Sequence, residues 1–201
     1  GVGEVLSWQQ AVKYAVRLAG ALATAHRAGV LHRDLKPANV LVSDFGEPLL
    51  ADFGIARVSG GFQTTSGQVN ASLFYAPPEV LEGKPVTVAA DVYSLAATTY
   101  TMIAGHPPFS RRPDEEMISV YRRISTEEPA DLGALGLPAP IWNVLVAGLA
   151  KRPDQRPASA AAFGTLLQQA QAALGEEVTP MATVEPSAWP TPVKSPASPP
   201  A

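Results

Sequence analysis

Two short segments of this chain carry the residue types needed to move a phosphoryl group. Asp34 has a carboxylate that can accept a proton from a hydroxyl nucleophile, and Lys36 can offset negative charge on the phosphoryl group. Asn39 offers a carbonyl oxygen and Asp52 a carboxylate, and hard oxygen ligands of this kind suit magnesium. Phosphoryl transfer from ATP needs mainly an oriented nucleophile, neutralised phosphate charge and bound magnesium. These four residues therefore predict that chemistry.

A second aspartate, Asp44, is an alternative candidate for the metal-ligand role given to Asp52. The triplet Asp-Phe-Gly occurs twice, beginning at Asp44 and at Asp52. The first triplet ends on Gly46 and is followed by a proline at 48, a composition typical of turns. Only the second triplet leaves room for a β-hairpin after Asn39. We therefore predict that Asp52 is the ligand and that Asp44 is a turn residue.

Composition narrows the class of protein. The chain has 201 residues, of which 46% are hydrophobic, and this is typical of a globular domain with a sizeable core. Its net charge of −3 gives no sign of nucleic-acid binding. It has no cysteine, which excludes a disulfide framework or thiolate metal site and suits a reducing cytosol. The sequence shows no signal-peptide pattern and no apolar run long enough to span a membrane.

The elements that must position these residues are mostly helical. Ser7 precedes a long amphipathic stretch from Trp8 to His26, and Gly29 is expected to end this helix. Two apolar runs on either side of a turn predict a small hairpin, formed by residues 40–42 and 49–51. Further helices are predicted at about 88–104, 114–125, 140–150 and 158–173. The predicted fold class is mainly α with a small β-hairpin.

The composition changes near residue 176. Residues 176–201 contain seven prolines mixed with Ser, Thr and Ala, so the sequence predicts a folded region over 1–175 and a disordered tail or linker over 176–201. Four Ser/Thr-Pro pairs in the tail are candidate phosphorylation sites, at Thr179, Thr191, Ser195 and Ser198. The alternative reading is a spacer with no specific function.

Two segments of this chain resemble the catalytic and metal-binding loops of protein kinases. They are His32-Arg33-Asp34-Leu35-Lys36-Pro37-Ala38-Asn39 and, after it, Asp52-Phe53-Gly54. The closest resemblance is to bacterial Ser/Thr kinases of the eukaryotic type, because Lys36 is the residue that Ser/Thr kinases carry there. The resemblance implies that Asp34 is the base and that Asn39 and Asp52 hold Mg²⁺, with Mn²⁺ as an alternative. Lys36, Asn39 and Asp52 would contact ATP.

The resemblance also implies roles for residues outside the reacting centre. His32 would be structural, and Arg33 would pair with a phosphate in an activation segment that runs from Asp52 to Glu79. In that segment Thr64, Thr65 and Ser66 are candidate autophosphorylation sites, while Ser72 stands where the family has a Thr and is expected to contact Asp34 and Lys36.

Two more motifs extend the resemblance toward residue 173. Ala76-Pro77-Pro78-Glu79 resembles the family's Ala-Pro-Glu motif, with Pro77 in place of Ala, and Glu79 would pair with Arg156. Asp91 resembles the residue that opens the central helix and holds the catalytic loop through backbone hydrogen bonds. The family usually has Gly where this chain has Ala96.

Residues 1–31 match none of the parts of the family's N-terminal lobe. They contain no glycine-rich phosphate loop and no strand lysine. We therefore expect a kinase C-terminal lobe, which is one part of the α+β kinase fold, and a chain that is inactive by itself. The expected function is transfer of the ATP γ-phosphoryl group to Ser or Thr of proteins. The alternatives are a standalone C-lobe acting as a pseudokinase or binding module, and a small-molecule phosphotransferase.

The resemblance further implies the partners of such a chain. Protein substrates and ATP are expected, together with self-association for autophosphorylation, and no nucleic acid. The expected location is the cytoplasm, and a longer parent protein would reach a membrane only through parts outside this chain.

Overall fold

The computed structural model describes residues 5–53 and 72–184 of the chain. These residues form six α-helices and one antiparallel hairpin, which confirms the mainly α fold class. The helices are α1 (Trp8–Arg27), α2 (Pro78–Leu81), α3 (Val88–Ala104), α4 (Met117–Thr126), α5 (Ala139–Gly148) and α6 (Ala160–Ala173), and the strands are β1 (Val40–Val42) and β2 (Pro48–Leu50). Short 3₁₀ turns lie at Pro37–Asn39, Gly133–Leu135 and Pro153–Gln155.

Helix α3 lies at the centre of the core. Most of its residues are buried, including the large side chains of Tyr93, Leu95 and Tyr100. A helix that is apolar on nearly all sides must be covered on all sides. Helices α1, α5 and α6 provide much of this cover, and α1 also packs against α6. Helix α3, which has Asp91 in its first turn, is therefore held in the middle of the fold.

The ends of α1 follow from its sequence. The Ser7 hydroxyl accepts a hydrogen bond from the Gln10 backbone N–H at 3.3 Å, as an N-cap residue does. After Arg27 the chain turns at Gly29, which has a φ of 76° that other residues rarely adopt. This turn leads directly into the segment that contains His32.

The hairpin differs slightly from the prediction. Val40 pairs with Leu50 and Val42 pairs with Pro48, so the second strand runs over 48–50 rather than 49–51. Proline is tolerated there because it is the first residue of its strand. The Ala51 N–H still donates to the Asn39 carbonyl oxygen at 2.9 Å, which closes the base of the hairpin.

Helix α4 begins three residues later than predicted, and the reason is an ion pair. Glu115 lies before the helix, where its carboxylate accepts from the Arg123 guanidinium at 2.7 Å and from the Arg112 backbone N–H at 2.9 Å. Asp114 adopts a positive φ of 59°, which is incompatible with a right-handed helix. Side-chain hydrogen bonding therefore overrides helix propensity at this end.

The prediction of a disordered tail from residue 176 is wrong for residues 176–184. This segment, here called the C-terminal strap, lies against α1 and α6. Thr179 is only 5% exposed, and Met181 packs against the core. Composition suggested disorder because Pro and Ser/Thr residues dominate the whole stretch, yet a few contacts suffice to dock its first part. The rest of the predicted tail, 185–201, lies outside the described residues.

Among the residues that the structure describes, no helix combines the length and the apolar character needed to cross a membrane.

Candidate active site

The loop that follows α1 is held in place by hydrogen bonds to one buried carboxylate. Asp91, in the first turn of α3, is 1% exposed. Its Oδ2 accepts from the His32 backbone N–H at 2.8 Å, and its Oδ1 accepts from the Arg33 backbone N–H at 2.9 Å. The central helix thus holds the two residues that precede Asp34.

His26 completes this anchor, a role that its place at the end of the amphipathic stretch did not predict. Its Nε2 lies 2.8 Å from Asp91 Oδ2, and its side chain is 8% exposed. Because a carboxylate only accepts, His26 donates from Nε2 and links the last turn of α1 to α3. The available signal was its position in the last turn of the helix before the loop.

Asp34 lies in a small network with Lys36 and Ser72. The Lys36 ammonium donates to Asp34 Oδ2 at 3.0 Å and to Ser72 Oγ at 2.8 Å. The Asp34 side chain is 21% exposed, so it is partly shielded yet reachable from solvent. Lys36 therefore bridges the carboxylate and the buried Ser72 hydroxyl, which lies 36 positions further along the chain.

Asn39 is oriented by Asp34. Its Nδ2 donates to the Asp34 backbone carbonyl at 2.7 Å and lies 3.3 Å from Asp34 Oδ2. With the amide nitrogen committed in this way, the remaining polar atom of the side chain is Oδ1. Asn39 is also 6% exposed, so its orientation is fixed by burial as well as by hydrogen bonding.

The base of the hairpin brings Asp52 next to Asn39. The backbone N–H of Ala51, the residue before Asp52, donates to the Asn39 carbonyl oxygen. Asp52 is exposed and has a φ of 53°, and Arg33 likewise has a φ of 68°. Non-glycine residues in the left-handed region are uncommon and concentrate at functional sites.

The donor set at this position fits a magnesium ion. It comprises an amide oxygen from Asn39 and carboxylate oxygens from Asp52, the hard ligands that Mg²⁺ prefers while it keeps several waters. The described residues contain no group of three or more His, Cys, Asp and Glu side chains that would form an all-protein metal cage. The set therefore suits a cation that binds together with phosphate oxygens.

His32 joins the two loops. Its ring stacks on Phe53 with the centroids 4.6 Å apart, Nε2 lies 3.1 Å from the Ala51 carbonyl oxygen, and Nδ1 accepts from the Asp34 N–H at 3.4 Å. Burial lowers the pKa of the imidazole below 6.5, although the nearby Asp91 carboxylate opposes this. The neutral ring donates from Nε2 and accepts at Nδ1, which satisfies both contacts.

A buried ion pair supports the segment that follows Ser72. The Arg156 guanidinium donates to the two carboxylate oxygens of Glu79 at 2.6 and 2.8 Å. It also donates to three backbone carbonyls, those of Ala89, Ala150 and Lys151. Arg156 is 5% exposed and Glu79 is 6% exposed. The pair that the sequence predicted is present and fully hydrogen-bonded.

Of the remaining predicted residues, Asp44 lies in the described part of the chain and three candidate phosphorylation sites do not. Asp44 lies in the exposed hairpin turn, where the neighbouring Phe45 is 92% exposed, whereas Phe53 of the second triplet packs on His32. Thr64, Thr65 and Ser66 lie outside the described residues, so their place relative to Arg33 stays a prediction.

Comparison with known protein families matches residues 3–165 to the protein kinase domain. The chain belongs to the protein kinase domain family. Members of this family use ATP and Mg²⁺, and the loop that holds Asp34, Lys36 and Asn39 falls within the matched region.

Several curated kinases are similar to this chain. It is 45% identical to the serine/threonine-protein kinase PknK of Mycobacterium bovis over 176 residues, which are 88% of this chain and 16% of PknK. It is 39% identical to PkaA of Streptomyces coelicolor over 71% of the chain, and 35% identical to PknL of Mycobacterium tuberculosis over 79%. The matched parts are 26% of PkaA and 39% of PknL, so this kinase chain spans only a minor part of each relative.

The solved kinase domain of PknI from Mycobacterium tuberculosis has a similar structure. The TM-score is 0.61 at 32% sequence identity, and the match covers 83% of this chain and 57% of the PknI chain. The helical body described above is therefore the fold of a kinase domain in its helix-rich part.

Proposed function

We propose that these residues form the catalytic part of a Ser/Thr protein kinase, in which Asp34 accepts the proton of a substrate hydroxyl. The observation that carries the proposal is the network in which Lys36 joins Asp34 to Ser72, with Asn39 also held by Asp34. The hydroxyl oxygen then bonds the γ-phosphorus while the bond from phosphorus to the bridging oxygen of ADP breaks. General-base help of this kind contributes about 10²–10⁴-fold.

Lys36 has the position of a charge-neutralising group. Its Nζ lies 3.0 Å from the Asp34 carboxylate, so a phosphoryl group approaching the nucleophile held by Asp34 also approaches the ammonium. In a partly shielded site this cation stabilises charge that develops in the transition state more strongly than it would in water. Lys36 would then exchange some of its bonding to Ser72 for the phosphoryl oxygens.

Asn39 and Asp52 would hold Mg²⁺, and Lys36, Asn39 and Asp52 would together receive ATP. The support is the hard oxygen donor set and the fixed amide of Asn39. Magnesium-bound ATP would supply the phosphoryl group, and the magnesium ion would neutralise part of the phosphate charge. The chain's own residues would orient the bound ATP and exclude alternative placements of the hydroxyl nucleophile.

A protein substrate is supported by the surface beside Asp34. A shallow cleft there is lined by residues of the loop, of the segment before α2 and of α2 itself, including Ser72, Tyr75, Pro77 and Val80. The ion pair of Glu79 with Arg156 holds α2, which contributes Val80 to this lining. A backbone segment carrying a Ser or Thr can lie along such an open cleft, whereas a small molecule would need a deeper pocket.

Regulation would act through Arg33. We propose that a phosphate on Thr64, Thr65 or Ser66, added by a second copy of the kinase, pairs with this guanidinium. Arg33 is half-buried, and Asp91 holds its backbone, so the point from which the guanidinium extends is fixed before any phosphate arrives. We place this reaction in the cytoplasm, where ATP is available and a protein without cysteine needs no oxidising environment.

The test uses the native polypeptide that contains these residues, isolated from its source cells, and its intact mass is recorded. The assay measures ATP-dependent phosphorylation of a generic protein substrate. Asp34→Asn should lower turnover by about 10²–10⁴-fold. Asp44→Asn is the matched control, because it changes the same side chain in the other Asp-Phe-Gly triplet. Equal turnover by the parent and Asp34→Asn, or no turnover by the parent, would overturn the proposal in favour of a binding module.

A further inference from the structure

The C-terminal strap docks on α1 and α6 through contacts that select its sequence. All three polar groups of the Thr179 main chain and side chain are bound by two glutamines of α6. The Thr179 N–H donates to Gln171 Oε1 at 3.0 Å, Gln171 Nε2 donates to Thr179 Oγ1 at 2.9 Å, and Gln168 Nε2 donates to the Thr179 carbonyl at 2.7 Å. Gln171 is 4% exposed, so these bonds are shielded from water.

The next part of the strap fills a notch made by two glycines. A Cβ atom at Gly20 of α1 would lie 2.2 Å from the Ala182 carbonyl oxygen and 3.1 Å from Met181 Cγ. A Cβ atom at Gly164 of α6 would lie 2.5 Å from Met181 Sδ. Glycine is among the poorest helix formers, so its presence inside both helices needs a reason. Gly20 leaves room for Met181 and the strap backbone, and Gly164 leaves room for Met181 and for the close approach of Ala19, 2.9 Å from the same Cβ position.

The strap ends beside the residues that anchor the active-site loop. The Val184 N–H donates to Thr24 Oγ1 at 3.1 Å, and the Val184 carbonyl accepts from the Arg27 guanidinium at 2.9 Å. The strap therefore runs parallel to α1 and reaches its last turn. His26, which bonds Asp91, lies in that same turn.

We propose that residues 176–184 are an integral element of this kinase domain, recognised by a peptide-binding groove between α1 and α6 and extending the domain beyond residue 165, where the family match ends. The groove holds the Thr179 main chain through both glutamines, recognises its hydroxyl through Gln171, and receives Met181 in the two-glycine notch. The proposal is independent of phosphoryl transfer. It also implies that modification of the Thr179 hydroxyl requires release of the strap, because the docked residue is 5% exposed.

Gly20→Ala in the full chain tests the proposal against the alternative that the strap does not contribute to the domain. The two predict changes of opposite sign in the melting temperature. Added helix propensity alone would raise the melting temperature. A docked strap predicts a lower melting temperature instead, since the three atoms nearest to the new methyl group all belong to the strap. Hydrogen exchange provides the local readout, because the Thr179 and Val184 amides both donate to groups on the helices. We expect their protection to fall by about tenfold or more.

Ala21→Gly is the matched control, because it changes helix propensity at the exposed neighbouring position. It should lower the melting temperature while protection of the Thr179 and Val184 amides persists. Met181→Ala alters only the strap and should reduce protection at both amides even if Gly20→Ala fails to fold. A higher melting temperature in Gly20→Ala with unchanged amide protection, or unchanged protection in Met181→Ala, would overturn the proposal.

Discussion

Arg156 and Glu79 are separated by 77 positions in the chain and form a two-point ion pair that is almost completely buried. The guanidinium also lies over the ring of Tyr93, with its Cζ 5.0 Å from the centroid. The pair thus fastens α2, which helps line the cleft beside Asp34, to the central helix and to the segment before α6. Burial raises the pKa of the Tyr93 hydroxyl well above its ordinary value, so this phenol stays neutral beside the pair.

Arg156→Ala should lower the free energy of unfolding by about 3–5 kcal/mol, because it leaves the Glu79 carboxylate buried without its partner. Urea unfolding measures the change. Arg152→Ala is the control, since its ion pair with Asp154 is mostly exposed and screened by solvent, so its loss should barely move the unfolding midpoint. If the two variants unfold at the same urea concentration, the pair has no structural role.

Asp91→Asn should loosen the loop that carries Asp34. An amide nitrogen replaces one acceptor, so at least one of the His32 and Arg33 backbone N–H groups loses its partner, at a cost of about 1–3 kcal/mol. Hydrogen exchange at these two amides should accelerate. Asp131→Asn offers a comparison, because Asp131 accepts from the Gly133 N–H at an exposed site. Unchanged exchange at His32 and Arg33 would show that Asp91 does not anchor the loop.

His32 should make the folded state sensitive to mild acid. Its pKa is lowered by burial, so the unfolded chain binds more protons than the folded chain between the folded-state pKa and about 6.5. Stability is therefore fully present above about pH 6.5 and is lost as the pH falls through the folded-state pKa. Protonation would remove the acceptor at Nδ1 that receives the Asp34 N–H.

An NMR titration of the imidazole measures this directly, and we expect its midpoint below 6.5. His32→Phe should flatten the pH dependence of stability between the two pKa values, whereas His106→Asn, at an exposed loop position, should retain it. A midpoint above 6.5 for His32 would contradict the argument.

Ser72→Ala should reduce the kcat/KM of the kinase by about tenfold, because the Lys36 ammonium loses a hydrogen-bond acceptor and its position relative to Asp34. Ser72→Thr keeps the hydroxyl and should remain close to the parent. The measurement is steady-state phosphorylation of one peptide by the three proteins. Equal activity of the alanine and threonine variants would remove Ser72 from the site.

Much of the reacting centre could be predicted from the sequence, because its residues are close together in the chain. The spacing from Asp34 to Asn39 is set within one loop, and the hairpin that brings Asp52 beside Asn39 follows from local turn chemistry. The choice between the two Asp-Phe-Gly triplets likewise depended on a turn, and the structure places Asp44 there.

Other parts depended on packing between distant segments. His26 looked like a packing residue until the end of α1 met the start of α3, where its ring reaches Asp91. The late start of α4 required the pairing of Glu115 with Arg123.

By itself, the sequence determined the chemistry and the helical character of this protein, because residue types, their spacing and hydrophobic periodicity are local properties of the chain. Only the tertiary structure decided that residues 176–184 lie against α1 and α6. Their composition predicts disorder, and the groove that holds Met181 exists only where Gly20 and Gly164, far apart in the sequence, are brought together by the packing of α1 on α6.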